Sequence, residues 1–378
     1  MHMGSPEDAF DEQLMRRAIA LARRGEGHVE PNPMVAAVIA VASGDGSGGD
    51  IIAEGWHASF GGPHAEVAAL SAAGAAARGG TLAVTLEPCC HYGKTPPCTT
   101  AIIAAGISRV VVGTRDPFPA VNGGGIDELR RAGIEVRVGV CETEARRLIA
   151  PFRRLVEQQR PWLIAKWAMS LDGRVATADG ESRWISSDAS REIVHQLRGR
   201  MDGIVCGIGT ALADDPLLTA RPAGPRRPLR IVLDSMARLP LDSRLVRTAR
   251  EVPLLVATGP TAPADRLRQL RAAGCEIWQS AAADHRERLR QLLVELGSRR
   301  LTNVLVEGGP TVLGSLADAQ AIDEVWAFIA PTIIGGAASP SPIAGAGIAA
   351  LASAASIDVE HVDHPGGDLL VRGVVRRA

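Results

Sequence analysis

Four residues near the start of the chain have side chains and an order suited to zinc chemistry. The stretch LEPCCHYGKTPPC, residues 86–98, contains Cys89 and Cys98, and His64 and Glu66 precede it at the start of a predicted helix. A histidine and two thiolates are good Zn²⁺ ligands, and three protein ligands leave the fourth position open, as in catalytic sites. A glutamate two residues from the histidine can transfer protons without binding the metal. This order of residues predicts hydrolytic zinc chemistry.

The spacing of these residues also indicates a class of reaction. A His-x-Glu followed by Pro-Cys and a second cysteine is typical of zinc deaminases. Here eight residues separate Cys89 from Cys98, whereas the usual pattern has two. Cys98 follows two prolines, and we expect Thr95 to cap a helix whose first turn holds Pro96 and Pro97.

Alternatives to the catalytic interpretation concern the neighbours of the two cysteines. Cys90 or His91 as a fourth ligand would make a structural zinc module, because such sites usually have four protein ligands. A lone cysteine is more often a small buried residue, and we expect Cys90 to be a core residue or a neighbour of the metal ligands rather than a ligand. Six cysteines in 378 residues do not suggest a disulfide scaffold, so reduced thiols are expected.

The second half of the chain has weaker signals, which lie at the ends of predicted strands. Gly207 and Gly209 follow one apolar run, and Glu307, Gly308 and Gly309 follow another. Glycines at a helix start let backbone N–H groups approach a phosphate. A strand followed by two glycines and a helix is also common in α/β proteins, so a single occurrence does not identify a phosphate site.

Composition limits the possible partners. The net charge is -1, and only 3% of the residues are aromatic, whereas nucleic-acid surfaces need basic grooves and stacking rings. We therefore expect neither nucleic acid nor a membrane as partner. No apolar run is long enough to span a bilayer, and the acidic N-terminus lacks the apolar core of a signal peptide. A cytoplasmic protein is expected.

Apolar runs, bounded by glycine, proline and polar residues, predict two α/β blocks. In the first block, strands are predicted at 34–42, 50–56 and 81–87 and in RVVVGT and IEVRVGV, and helices in the segments beginning at Ser5 and His64 and in CTTAIIAAGI and IDELRRAG. A charged helix over 144–161 is the predicted connector. In the second block, strands are predicted in WLIAKWAMS, GIVCGIG, LRIVLDS, VPLLVATG, NVLVEGG and DEVWAFIAP, and helices in SDASREIVHQLRGR, ADRLRQLRAAG and HRERLRQLLVELG. Residues 335–356 are low in complexity and are expected to be mobile.

Several segments of the first half together resemble a known family. PNPMVAAVI, GWHASFGGPHAE, TLEPCCHYGKTPPC and RDPFPAVNGGGIDELRRAGIEV are similar to the deaminase half of the bifunctional riboflavin-biosynthesis deaminase/reductase family. The resemblance implies a cytidine-deaminase-like α/β/α zinc domain, with His64, Cys89 and Cys98 as ligands of one Zn²⁺ and Glu66 as the catalytic proton carrier. It further implies that Asn32 and His57 contact the aminopyrimidine of the deaminase substrate, and that its ribose phosphate is held with the help of His91, Lys94 and Asp116.

Three positions depart from the family pattern. Cys90 stands where serine is usual, Phe118 where asparagine is usual, and Ala36 where glycine is usual. The loss of the asparagine amide puts one substrate contact in question. Ala36 is expected to narrow the floor beside Asn32.

Segments of the second half resemble the reductase half of the same family. AKWAMSLDGRVATADGESRWISS, GIGTALADDPLLTAR, LDS and VEGGPTVLGS occur in the family's order. The resemblance implies a dihydrofolate-reductase-like α/β domain that binds NADPH. The implied cofactor residues are Ala168, Trp184, Thr210, Asp214, Ser235, Gly309, Pro310, Thr311, Val312, Leu313, Gly314 and Ser315. The implied reductase substrate residues are Lys166, Ser182, Arg198, Leu217, Arg221 and Glu307. Lys166 lies within an apolar run and therefore needs a partner or a cavity.

The resulting hypothesis is an enzyme with a deaminase domain over 1–153 and a reductase domain over 160–378. It would deaminate 2,5-diamino-6-(5-phosphoribosylamino)pyrimidin-4(3H)-one and then reduce the ribosyl side chain to ribityl. We also expect a homo-oligomer. The alternatives are a zinc deaminase acting on a nucleoside or nucleic-acid base, with a degenerate second domain, and a non-enzymatic zinc module.

Overall fold

The chain divides into two compact units, Met1–Gln159 and Arg160–Ala378. The structure is a computed structural model that describes residues 5–42, 49–92, 96–119 and 121–376. The first domain was expected to end at residue 153, whereas the first unit ends at Gln159. Among the described residues, no helix is both long enough and apolar enough to cross a membrane.

The first unit is built on a five-stranded sheet in the order β2-β1-β3-β4-β5. Its strands are β1 (Ala36–Ala42), β2 (Gly49–Trp56), β3 (Thr81–Leu86), β4 (Arg109–Thr114) and β5 (Glu135–Val138). Its helices are α1 (Pro6–Ala22), α2 (Ala65–Ala73), α3 (Cys98–Ala105), α4 (Gly124–Arg131), α5 (Glu142–Leu148) and α6 (Ala150–Gln158). Strands β3, β4 and β5 are parallel, and β1 is antiparallel to both of its neighbours. The five strands and the first four helices confirm the predicted elements.

Helices cover both faces of this sheet. On one face, the side chains of β1, β3 and β4 pack against residues of α2, α3 and α4, such as Ala69, Ile102 and Leu129. On the other face, they pack against Leu14 of α1 and Ala145 of α5. Because both faces are buried, the strands read as continuous apolar runs rather than as alternating ones.

Two local predictions about helices were wrong. The charged helix over 144–161 is two helices, α5 and α6, because Pro151 lies in the first turn of α6 and cannot continue a helix from before it. Helix α3 begins at Cys98 with Pro97 as its N-cap residue, so the two prolines precede its first turn. The predicted cap, Thr95, lies outside the described residues. The Ser5 cap of α1 is confirmed, since its side chain accepts a hydrogen bond from the Asp8 N–H.

The second unit has a nine-stranded sheet in the order β10-β9-β8-β7-β11-β6-β12-β14-β13. Its strands are β6 (Trp162–Ser170), β7 (Gly203–Gly207), β8 (Leu229–Leu233), β9 (Leu254–Thr258), β10 (Glu276–Gln279), β11 (Asn303–Val306), β12 (Glu324–Ala330), β13 (Ser356–Asp363) and β14 (Leu369–Arg376). Its helices are α7 (Asp188–Arg198), α8 (Ile208–Asp214), α9 (Arg244–Arg247), α10 (Ala264–Ala272), α11 (His285–Ser298) and α12 (Pro310–Asp318). The seven strands from β10 to β12 are parallel.

The sequence did not predict β10, β13, β14, α8 and α9. The segment at 335–356 has turns and a short 3₁₀ helix at Leu351–Ser353. It contacts α12 through the Ala344 N–H, which donates to the Pro310 carbonyl at 3.1 Å. The mobility of this segment stays a prediction.

A fully buried carboxylate joins α1 to the sheet of the first unit. Asp11 is 0% exposed, and its two oxygens accept from Arg109 Nη1 and Nη2 at 2.6 and 2.8 Å and from Arg137 Nη1 at 2.7 Å. Burying a charge is costly unless it is paired and hydrogen-bonded, and two guanidinium groups meet that requirement here.

We predict that Asp11→Ala destabilises the first unit by about 3 kcal/mol, because Arg109 and Arg137 lose their buried partner and keep only carboxylates at the surface. The next residue gives a matched control. Glu12 pairs with Arg16 on the exposed surface of the same helix, so Glu12→Ala should cost less than about 1 kcal/mol. Urea unfolding of both variants measures the difference, and equal losses would show that the buried network adds nothing.

Candidate active sites

Three segments of the first unit bring His64, Cys89 and Cys98 together. His64 is the N-cap residue of α2, Cys98 begins α3, and Cys89 lies in the loop after β3. His64 Nδ1 is 3.2 Å from Cys98 Sγ and 3.5 Å from Cys89 Sγ, and the three ligand atoms lie within 4.8 Å of one another. Ligand atoms of a tetrahedral zinc site are about 3.3–3.8 Å apart, so these side chains fit a zinc ion.

The two thiols of this cluster differ in acidity. A hydrogen bond from the Cys98 thiol, with help from His64, lowers the pKa of Cys89 to about 4. The same hydrogen bond and burial raise the pKa of Cys98. The pair therefore shares one proton, and Cys89 is the thiolate that is ready to bind a metal ion.

Cys90 has no place in the cluster. Among the described residues, the potential metal-ligand group that includes Cys89 consists of His64, Cys89 and Cys98 alone. A Cβ atom at Gly124, where α4 begins, would lie 2.9 Å from Cys90 Sγ, so the Cys90 side chain packs against that helix start. This geometry supports an open three-ligand site over a closed four-ligand one.

Glu66 is a buried acid two residues after the ligand candidate His64. It lies in the first turn of α2 and is 4% exposed. Burial raises the pKa of its carboxyl group to about 7. A carboxyl group with such a pKa can both accept and return a proton near neutral pH.

Asn32 and His57 form a hydrogen-bonded pair beside His64. His57 Nδ1 is 3.0 Å from the Pro63 carbonyl, which can only accept, so Nδ1 carries the proton. Its Nε2 then accepts from Asn32 Nδ2 at 3.2 Å. The His57 ring is 5.8 Å from the His64 ring, and burial lowers the pKa of His57, so this ring is neutral.

The remaining predicted deaminase residues are placed less completely. Lys94 lies outside the described residues. The rings of His91 and Phe118 are 6.1 Å apart. Asp116 is buried, accepts from the Phe118 N–H at 2.8 Å, and has a pKa that burial raises to about 6. A carboxylate repels a phosphate, so the Asp116 contact with a ribose phosphate stays a prediction. Ala36 packs in the cluster with Leu148, and its expected narrowing of the floor beside Asn32 stays a prediction.

Glu87 is a site residue that the sequence analysis missed. It is 3% exposed and lies between β3 and the Pro88-Cys89 pair. Its oxygens accept four backbone N–H groups, from Asp116 at 3.3 Å, Gly123 at 3.0 Å, Gly125 at 3.1 Å and Ile126 at 3.2 Å. An acidic residue that ends a buried apolar strand is the signal that could have identified it. Glu87 holds the 116–126 segment beside the cluster.

A charged cluster marks the second unit. Glu307, which follows β11, is held by Arg198 of α7, with Nε–Oε1 at 2.5 Å and Nη2–Oε2 at 2.8 Å. Lys166 Nζ lies 3.9 Å from Glu307 Oε2, which is the partner that this mid-strand lysine was expected to need. Burial lowers the pKa of Lys166.

Several predicted cofactor residues lie near the carboxyl ends of the parallel strands. Gly309 is the N-cap residue of α12, and a Cβ atom there would lie 3.0 Å from Thr210 Oγ1. Asp214, at the end of α8, accepts a long hydrogen bond of 3.5 Å from Ser182. Trp184 is 69% exposed, with the Arg191 guanidinium 4.5 Å from its ring.

The predicted cofactor residues of the phosphate cradle, from Gly309 to Ser315, differ in exposure. Val312, Leu313 and Gly314 are buried, and a Cβ atom at Gly314 would meet the Ala344 backbone, so the contact of these three residues with a cofactor stays a prediction. The accessible part is the first turn, from Gly309 to Thr311, and Ser315.

The other predicted reductase residues are spread around this edge. Ala168 is half-buried in β6. The Leu217 carbonyl accepts from the fully buried Arg230 at 3.3 Å. Arg221 is exposed. The pKa of the His195 ring is lowered most by burial, then by the charge of Arg198 and then by the charge of Arg221, so Arg221 is near this ring.

Comparisons with known proteins account for both units. The family model for the cytidine and deoxycytidylate deaminase zinc-binding region matches residues 8–114, and the RibD C-terminal domain model matches residues 161–370. The riboflavin biosynthesis protein RibD of Actinobacillus pleuropneumoniae is 39% identical over 98% of this chain and 98% of its own length. RibD of Escherichia coli (strain K12) is 37% identical over 95% of this chain and 98% of its own. The chain belongs to the RibD family.

Solved structures of RibD proteins have the same fold. RibD of Acinetobacter baumannii, form 2, is 34% identical with a TM-score of 0.81, covering 98% of this chain and 100% of that one. A protein of Thermotoga maritima is 36% identical with a TM-score of 0.81 and the same coverage. That protein is described as a diaminohydroxyphosphoribosylaminopyrimidine deaminase and 5-amino-6-(5-phosphoribosylamino)uracil reductase.

Membership of the RibD family confirms the predicted function at the level of the two reactions. The chain is a bifunctional enzyme of riboflavin biosynthesis, with a zinc-binding deaminase region followed by a reductase domain. A non-enzymatic zinc module and a deaminase with a degenerate second domain are therefore excluded.

Glu87 generates a prediction about the RibD deaminase site. Glu87→Gln should lower the deaminase kcat/KM roughly tenfold or more, because an amide NH₂ group would face backbone donors that now bond a carboxylate. Deaminase kinetics and zinc content measure the effect, and reduction should be unchanged. Asp127→Asn, an exposed change in the first turn of α4, is the control. A Glu87→Gln variant as active as this control would contradict the anchoring role.

Proposed function

We propose that the first unit holds one Zn²⁺ through His64, Cys89 and Cys98 and uses Glu66 to move protons. The observation that carries this proposal is the convergence of the three ligand atoms within 4.8 Å beside a buried acid. When bound, zinc supplies a Lewis acid that acidifies water near neutral pH. Glu66 takes the proton of the attacking water and delivers it to the departing amino group. The amidine carbon of the substrate forms a C=O bond with the oxygen of the attacking water, and its amino group leaves as ammonia.

The proposed substrate is 2,5-diamino-6-(5-phosphoribosylamino)pyrimidin-4(3H)-one, which the description of the Thermotoga maritima relative supports. Asn32 and His57 would bind the aminopyrimidine, because their hydrogen-bonded pair lies next to the ligand cluster. The fixed tautomer of His57 leaves Asn32 with a defined orientation. His91 and Lys94 are the proposed contacts to the ribose phosphate.

For the second unit, we propose NADPH-dependent reduction of the ribosyl side chain to ribityl. The fit to a dinucleotide rests on the helix start at Gly309, which has no side chain where a Cβ would approach Thr210. Such a helix start at the carboxyl edge of parallel strands suits a pyrophosphate. When bound, NADPH supplies a hydride.

The charged cluster would serve the sugar end of the reductase substrate. Lys166 and Glu307 form a largely buried pair. The pair can orient the sugar and can donate a proton to it. The fork of Arg198 is already bonded to Glu307, so Arg221, which is exposed, is better suited to the substrate phosphate. A cytoplasmic location and a homo-oligomeric assembly stay predictions.

The two-site proposal predicts that Glu66→Gln abolishes ammonia release and leaves NADPH oxidation on the deaminated intermediate intact. The amide cannot accept a proton, and the reductase site does not use Glu66. Paired assays of ammonia and NADPH on the same preparation measure both steps. Loss of both activities to the same degree would mean that the two reactions do not have separate sites.

The zinc ligands are tested by a matched pair of adjacent cysteines. Cys90→Ala should keep about one zinc per chain, because Cys90 packs against the start of α4. Cys89→Ala should lose zinc and deaminase activity, because two ligands hold the ion much less tightly than three. Elemental analysis of both purified variants gives the answer. Zinc loss in Cys90→Ala would favour a four-ligand structural site.

A further inference from the structure

A cleft at the carboxyl ends of β8 and β9 contains residues with no role so far. We call it the α11 cleft, because four of its lining residues, His285, Arg288, Leu289 and Leu292, belong to that helix. Its polar lining residues are Asp234, Ser235, Thr258, His285 and Arg288, and its apolar ones include Trp278 and Leu292.

Arg288 is held in place without a neutralising carboxylate. Its Nη1 donates to the carbonyls of Ala282 and Ala283, and its Nη2 lies 3.5 Å from Ser235 Oγ. Within the described parts of the chain, Arg288 forms no ion pair, whereas Arg290 on the same helix pairs with Glu287. Neutral acceptors thus orient the Arg288 guanidinium, and its positive charge remains available to an anionic ligand.

The one carboxylate in the lining, Asp234, has partners other than Arg288. It is 0% exposed, its Oδ2 accepts from the Leu239 N–H at 2.8 Å, and its Oδ1 lies 4.0 Å from Arg238 Nε. A ligand in the α11 cleft would therefore meet a guanidinium, an imidazole and the Ser235 hydroxyl beside the apolar Trp278 wall. This combination suits an anionic group on a flat heterocyclic ligand.

The α11 cleft adjoins the proposed phosphate cradle. His285 Nε2 lies 3.0 Å from Ser315 Oγ, and Ser315 belongs to α12, which begins at Gly309. An elongated ligand whose pyrophosphate lies at the start of α12 would reach the cleft with its adenosine half.

We propose that the α11 cleft binds the 2′-phosphate of the adenosine ribose, and that Arg288, with Ser235, selects NADPH over NADH. The inference rests on the proposed function, because it assumes a dinucleotide cofactor in the second unit. It adds the residues that discriminate between the two cofactors. Arg288 acts on binding, since its contacts are at the adenosine end and away from the hydride.

The test is calorimetric binding to the full-length chain with four probes: NADPH, NADH, adenosine 2′,5′-bisphosphate and 5′-AMP. The wild-type chain should bind the bisphosphate more tightly than 5′-AMP. Arg288→Gln should weaken NADPH and bisphosphate binding roughly ten- to hundredfold and change NADH binding little, because it removes a charge-assisted contact to the phosphate. Arg288→Lys should retain part of the preference. Arg286→Gln, an exposed change in the first turn of α11, should leave all four affinities unchanged.

The possible failures are distinguishable. If the wild-type chain binds NADPH tightly and Arg288→Gln keeps the NADPH-to-NADH ratio, the α11 cleft assignment is wrong and the proposed cofactor stands. Equal loss of NADPH and NADH binding in Arg288→Gln and Arg288→Lys would also overturn it, since that pattern indicates general damage. If the wild-type chain binds neither dinucleotide, the proposed cofactor itself is wrong, and the cleft assignment is wrong with it.

Discussion

Both catalytic units depend on carboxylates that are buried next to their strands and must be hydrogen-bonded to remain there. Glu87 follows β3 and accepts four backbone N–H groups, and Glu307 follows β11 and accepts the Arg198 fork. An unpaired buried charge would be expelled or neutralised. Each carboxylate therefore forces distant segments to converge where its strand ends, and the reacting groups lie at these same points. Stability and site geometry thus share one set of hydrogen bonds.

The metal cluster has a second requirement, the close approach of α2 to the sheet. A Cβ atom at Gly55 of β2 would lie only 2.4 Å from the Ala69 N and 2.5 Å from the Ala65 O. The alanine-rich face of α2 and the glycine of β2 let the helix lie directly on the strand. His64, at the head of that helix, then reaches the loop after β3. The small residues of β2 and α2 thus determine the position of His64, a metal ligand candidate that they do not touch.

Most of the fold could be predicted from the sequence because the strands are apolar runs bounded by glycine, proline and polar residues. The missed elements lack that contrast. β10 has only four residues, β13 is exposed along most of its length with charged residues among the apolar ones, and α8 follows β7 with no polar break. The metal-ligand set could be proposed because chemistry restricts it to few residue types. Glu87 was missed because its partners are 29 to 39 residues away, and Arg288 because Ser235, its neighbour in the cleft, is 53 residues away; no local pattern records such contacts.

The way in which Glu87 holds its segment has a consequence for how this enzyme can diverge. All four of its bonds go to main-chain N–H groups, which every residue except proline possesses. The anchoring of this segment thus does not use the side chain of Phe118. It does require glycine at Gly123, where φ is +86°, and at Gly125, where a Cβ atom would lie 2.0 Å from the Pro88 carbonyl oxygen. Phe118 stands within this segment where the family usually has asparagine, and its ring is 40% exposed. A loop fastened by its backbone can exchange the side chains it presents to a ligand at positions such as Phe118, while its glycines keep the path of the backbone fixed.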